Sequence, residues 1–143
     1  MMRARTVVAL GALVALIALT ATGTAVWVKL GKRTVDFRTD HDVIGVRASM
    51  GRFRAIRIHV FRHPVRMLDL KIRFGDGTTQ DVALSSVIPA GGHSRIINLT
   101  GGPRVIRKIE FVYRSTGPAP PPRPHRGRRV ARARARVEVW GRR

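Results

Sequence analysis

Between Arg52 and Phe74 the chain alternates apolar and polar residues in two consecutive runs, and no other stretch limits the possible folds so strongly. The first run, Phe53–Phe61, sets Arg54, Ile56, Ile58 and Val60 against Phe53, Ala55, Arg57 and His59. The second, Val65–Phe74, sets Leu68, Leu70, Ile72 and Phe74 against Met67, Asp69, Lys71 and Arg73. Side chains on a strand point alternately to its two faces, so each run reads as a strand with one apolar and one mixed face. Joined by a corner at Arg62-His63-Pro64, the two read as the middle of a sheet that packs one side on a core and wets the other.

The rest of the body repeats that grammar. Trp27–Leu30 and Thr34–Phe37 read as one strand bent or bulged at Gly31, and Asp40-His41-Asp42 as a turn into Val43–Val46. Gly75-Asp76-Gly77 opens a hairpin into Thr79–Leu84, because Asp-Gly tolerates the positive φ that tight turns need. Pro89–His93 is a further turn, followed by alternation through Arg95, Ile97 and Leu99. After Gly101-Gly102-Pro103, the run Val105–Tyr113 carries Val105, Ile109 and Phe111 on one face. Short strands at regular spacing, with no capped helical period after residue 30, predict an all-β fold. The expectation is a single antiparallel β-sandwich, jelly-roll or Ig-like, of about seven or eight strands.

The two ends differ from this body. Met1–Arg5 carries Arg3 and Arg5, Thr6–Val28 has no charge, and Val7–Leu19 is strongly apolar before small residues at Thr20–Ala25. That is the pattern of an N-terminal signal helix, cleaved after Ala25 or Ala21, giving a signal peptide over 1–25 and a sandwich domain over 26–141. The competing reading is an uncleaved signal anchor, with residues 6–28 spanning a bilayer. Either reading exports the domain, periplasmic or secreted, with Arg3 and Arg5 left on the cytoplasmic side. At the other end, residues 115–129 form a Pro/Arg-rich loop inserted before a last strand, since Pro118–Pro124 has no place in a sheet ladder. Val130–Trp140 then alternates Ala131, Ala133, Ala135, Val137 and Val139 against Arg132, Arg134, Arg136, Glu138 and Trp140. A row of outward arginines suits an edge strand, where charge discourages edge-to-edge association.

Composition narrows the chemistry. There are 28 Lys plus Arg against 8 Asp plus Glu, and only Lys29, Lys32, Lys71 and Lys108 are lysine. Guanidinium forks match phosphate and carboxylate, which suggests a polyanion partner; the plainer account is arginine-rich codon usage placed on wet faces. No cysteine is present, which removes disulfides and thiolate metal sites.

Several motifs together resemble a family of small, uncharacterised bacterial exported β-sandwich proteins. They are Trp27-x-x-Leu30-Gly31, Val35-Asp36, Asp40-x-Asp42-Val43-Ile44-x-Val46, Gly51-x-Phe53-x-x-Ile56-x-Ile58, Gly91-Gly92-x-Ser94-Arg95-x-Ile97-x-Leu99 and Arg104-x-Ile106-x-x-Ile109-x-Phe111-x-Tyr113. The resemblance runs from Trp27 to Gly141 outside the proline-arginine insertion, and it implies fold and export, with no activity to carry over.

Candidate sites are few. Asp36, Asp40, His41 and Asp42 place oxygens at alternate positions, as Ca²⁺ would need, but Asp-x-Asp at a turn more commonly caps the local backbone. His59, His63 and His93 lack zinc spacing, and a triad of Ser94, His93 and Asp81 has no nucleophile elbow around it. Asn98-Leu99-Thr100 matches a glycosylation sequon. The one candidate surface is polyanion-binding: Arg123, Arg126, Arg128, Arg129, Arg132, Arg134 and Arg136, with Arg142, Arg143, His125 and Trp140 nearby. The expectation is therefore no catalysis, no cofactor, no metal and no small-molecule substrate. It is a binding or structural role at the bacterial cell envelope, with an unknown envelope component as partner. The alternative is polyanion binding to anionic lipid, polysaccharide or nucleic acid through the arginine-rich strand and loop.

Overall fold

The computed structural model describes residues 23–35, 40–116 and 134–143, with nothing to say of the Asp40 and Ser115 side chains. The signal or anchor segment and the proline-arginine loop lie outside the described residues. Within them the chain is all-β, with one 3-10 turn at Ala48–Met50. Nine strands occur in order: β1 Trp27–Val35, β2 Asp40–Gly45, β3 Arg52–Phe53, β4 Ala55–Phe61, β5 Val65–Phe74, β6 Thr79–Ile88, β7 Ile97–Asn98, β8 Arg104–Ser115 and β9 Ala135–Arg142. They form two antiparallel sheets, one ordered β1-β9-β4-β7 and the other β2-β8-β5-β6 with β3 added to β8.

The inner faces supply the core. Ile56, Ile58 and Val60 of β4, with Val137 and Val139 of β9, face Leu70 and Ile72 of β5 and Ile106, Ile109 and Phe111 of β8, all at most 1% exposed. The predicted alternation is what places them there. One side of the sandwich closes where Gly31, beside the bulge in β1, lies against Ile44 of β2 and Arg33 Nε donates to Val43 O at 2.9 Å. On the other, Gln80 of β6 donates to Asn98 O at 3.0 Å and accepts from Thr100 N at 2.9 Å.

Four expectations need correction. The central runs do not pair with each other: β4 lies in the four-stranded sheet and β5 in the other, so the Arg62–Pro64 corner, with Arg62 at φ 77, carries the chain between layers. The first run is not one strand, because it breaks at Arg54; β3 pairs with β8 while β4 pairs with β9, and Phe53 enters the core over Gly141. Against β8, a bulge between Met67 and Asp69 makes Leu68 the extra residue of β5, so Met67 is buried in its place. Finally, β9 is no edge strand. It pairs with β1 on one side and β4 on the other, and its inward residues Ala135, Val137 and Val139 are small enough to sit in the middle of a packed layer.

Candidate binding face

Putting β9 in the centre changes its arginine row from a rim into part of a broad surface. The register lays out the outer face of the four-stranded sheet in rows. Trp27 meets Arg142 and then Ala55; Lys29 meets Trp140 and then Arg57; Lys32 meets Glu138 and then His59; Thr34 meets Arg136 and then Phe61. His93, bridged to His59, extends the third row. Successive rows lie roughly 7 Å apart, two residues along a strand.

On this face four cations, Arg57, Arg142, Arg136 and Lys29, lean on rings. Arg57 Cζ stands 4.2 Å from the Trp27 ring centroid and Arg142 Cζ 5.7 Å from the same ring. Arg136 Cζ lies 4.5 Å from Phe61, and Lys29 Nζ 5.8 Å from Trp140. Each such contact contributes about 0.5–2 kcal/mol, which offsets the repulsion between neighbouring cations and holds the guanidinium planes against the sheet. His59 joins the array, 5.4 Å from His93 and 5.7 Å from Trp140 between ring centroids.

The centre of the face is a carboxylate. Glu138 is only 5% exposed although it points outward, because its neighbours cover it. Trp140 Nε1 donates to it at 3.2 Å, Lys29 Nζ lies 3.6 Å away, and Arg136 Nε lies at 3.4 Å, ion-paired without hydrogen-bond alignment. A buried carboxylate among cations keeps them in place and lowers the net charge of the array. His59, across the strand pair from Glu138, has its pKa lowered from 6.5; burial is the main cause, helped by the Arg57 and His93 charges and opposed by Glu138. Its Nε2 and the Arg57 Nε are buried without a hydrogen-bond partner.

Of the arginines expected to bind polyanion, Arg136 lies in this face and Arg134 is exposed just ahead of β9. Arg123, Arg126, Arg128, Arg129 and Arg132 lie outside the described residues. The interleaved aromatics, Trp27, Phe61 and Trp140, were not visible as a set because they come from three strands. Their shared outward parity with Arg57 and Arg136 was the available signal, and it becomes readable only once β9 is known to run between β1 and β4.

The other candidates are not assembled. Asp36 is outside the described residues, Asp42 accepts from Tyr113 Oη at 2.8 Å, and His41 lies 3.7 Å from Glu110. Glu110 itself is held below the usual carboxylate range, chiefly by its hydrogen bond from Lys108. Ser94 donates to Arg95 O at 2.8 Å and accepts from Ile58 N at 3.0 Å, while Asp81 lies on the opposite sheet beside Lys71. His63 sits in the corner between β4 and β5, where the chain passes from one sheet to the other. Among the described residues no group of three or more metal-ligating side chains is gathered, and no helix is long and apolar enough to cross a membrane.

A family model described as a domain of unknown function, DUF2541, matches residues 7–120, which stops short of β9. No curated protein matches. Among solved structures, Pseudomonas aeruginosa AlgX is similar at 13% identity and a TM-score of 0.44, over 84% of this chain and 26% of that one. The chain thus spans about a quarter of AlgX, and so slight a likeness carries no argument.

Proposed function

The chain belongs to the DUF2541 family, and we propose that it is an exported, non-catalytic binding module of the bacterial envelope, working through the outer face of its four-stranded sheet on an anionic polymer. The observation that carries this reading is the ring-supported cation array: Arg57, Arg142, Arg136 and Lys29 all rest on Trp27, Phe61 or Trp140 in one continuous surface. Fixed guanidinium planes lose little entropy on meeting an oxyanion and offer it two parallel hydrogen bonds. The pattern of the first 28 residues supports export. The charges of Arg123, Arg126, Arg128, Arg129, Arg132 and Arg134 add to the field that attracts the same partner.

Retention on heparin or on anionic vesicles, measured against salt, tests the reading. Log affinity should fall linearly with log salt, and the double variant Arg57→Ala, Arg136→Ala should bind about tenfold more weakly at physiological ionic strength. If retention is already gone near the roughly 8 Å screening regime, or if the double variant binds as the parent does, the face is not the working surface.

A further inference from the structure

The same face discriminates among anionic polymers, and three observations bear on which one it suits. First, its rings are already occupied. Trp27 carries two guanidiniums, Phe61 one, and Trp140 is flanked by Lys29 and His59. A nucleic acid gains about 1–3 kcal/mol for each base stacked on an aromatic face, and here a base would compete with a cation already against each ring. Second, a carboxylate lies just beneath this face of cations. Glu138 lies in the third of the four rows, covered by its neighbours, with the half-buried His59 and then the exposed His93 beside it. A phosphodiester carries acceptors alone, so beside Glu138 it meets repulsion, whereas a sugar hydroxyl both donates and accepts. Third, the surface lacks an apolar wedge for a bilayer: among the described residues the exposed large apolar side chains are Val26, Val87 and Ile96, none of them in the ring array.

We infer that this face binds a linear acidic polysaccharide, its carboxylates or sulfates on the ring-backed guanidiniums of Arg57, Arg136 and Arg142 and its neutral hydroxyls over the covered Glu138, towards the exposed His93. The inference rests on the binding face proposed above and names its ligand. Four rows at roughly 7 Å give a platform about 20 Å long, enough for several sugar units in a chain laid along the strands. Arg57 is the specificity-determining side chain, since a lysine there keeps the charge and loses the flat fork.

Four probes presented to the purified full chain at about 150 mM salt separate the possibilities: polygalacturonate, dextran sulfate, neutral dextran and single-stranded oligothymidylate of matched charge. Polygalacturonate or dextran sulfate should bind at least about tenfold tighter than the oligothymidylate, with neutral dextran not retained; whichever of the two binds better tells carboxylate from sulfate. Arg57→Lys, with its melting temperature checked against the parent, should weaken the acidic glycan about fivefold and leave the oligothymidylate within about twofold. Glu138→Gln should narrow the gap by admitting the phosphodiester. Oligothymidylate binding as tightly as the glycans, or Arg57→Lys weakening both alike, overturns the inference in favour of nucleic acid or bare charge. Binding to none of the anionic polymers overturns the proposed face itself.

Discussion

His59 shows how one residue joins the binding face to stability. Its folded-state pKa is depressed, chiefly by burial and then by Arg57 and His93, so between that value and 6.5 the unfolded chain holds more protons than the folded one. The stabilisation is therefore complete above pH 6.5 and is lost as pH falls through the folded-state value. A melting temperature followed from about pH 8 down to about pH 5 should decline, and His59→Gln should flatten the decline; an unchanged slope in the variant would remove His59 from the account. Asp76 and Glu110 are also held low, Asp76 mainly by hydrogen bonds from Thr78 and Glu110 by Lys108. They lose their contribution in the more acidic carboxylate range, which keeps the two windows apart. Packing is equally local at Gly141, where an added Cβ would sit 2.6 Å from the Phe53 ring. Gly141→Ala should cost about 1–3 kcal/mol, read as a lower denaturation midpoint. Neither position announces itself in the sequence. Period-two alternation tells which way a side chain points; Glu138 points outward as read, yet Lys29, Arg136 and Trp140 cover it, and that depends on neighbours 100 residues away as well as two.

At the scale of the strand, alternation was a sound guide to faces and a poor guide to pairing. Ile56, Ile58, Leu70 and Ile72 are inward as their parity predicts, because a one-residue slip would expose the whole set. The hairpin at Gly75-Asp76-Gly77 was legible too, since its chemistry is contained in four residues: Asp76 Oδ1 accepts from Thr78 N at 3.0 Å and Gly77 takes φ 87. What the residues do not declare is which sheet a strand joins. The break at Arg54 and the bulge at Leu68 each shift parity by one residue, and nothing local separates that from regular alternation. Partner strands far along the chain decide it, as Arg52 and Phe53 pair with Val105 and Arg104. Gln80 is the clearest device at this scale. Its side-chain amide bridges β6 to the end of β7 and the residues just beyond, making to Asn98 O and Thr100 N the two bonds that a strand neighbour would make. Gln80→Ala should destabilise by about 1 kcal/mol and speed amide exchange at Thr100, with the remaining sheet amides unaffected. Exchange at Thr100 that stays slow would mean that the two sheets hold this edge together without the clasp.

For the whole molecule, the decisive fact is that the last eight-residue strand, separated from the body by the proline-arginine segment, sits in the middle of a sheet. β9 has β1 and β4 on its two sides and contributes Val137 and Val139 to the core, so this sheet closes only when β9 is in place. The end it leaves from and the end it arrives at are close. β8 finishes with Ser115 opposite Val65, β9 sets its second residue, Arg136, opposite Phe61, and Phe61 and Val65 flank the same corner. Two packed layers are about 10 Å apart, which three or four extended residues span. The 19 residues between Ser115 and Ala135 therefore far exceed what the crossing needs. Excising Pro118–Arg129 leaves enough chain to cross, and the shorter closure favours folding by about 1 kcal/mol on the logarithmic dependence of loop entropy. The excised protein should keep one cooperative transition at an equal or higher melting temperature, with Trp140 still half-buried by fluorescence quenching. The same protein lacks Arg123, Arg126, Arg128 and Arg129 but keeps the ring-backed array. Its salt slope on an anionic polymer should become shallower, while its sensitivity to Arg57→Lys persists. Loss of the cooperative transition would mean that the segment is built into the sandwich; loss of the Arg57 effect would move the binding surface from the sheet to the loop.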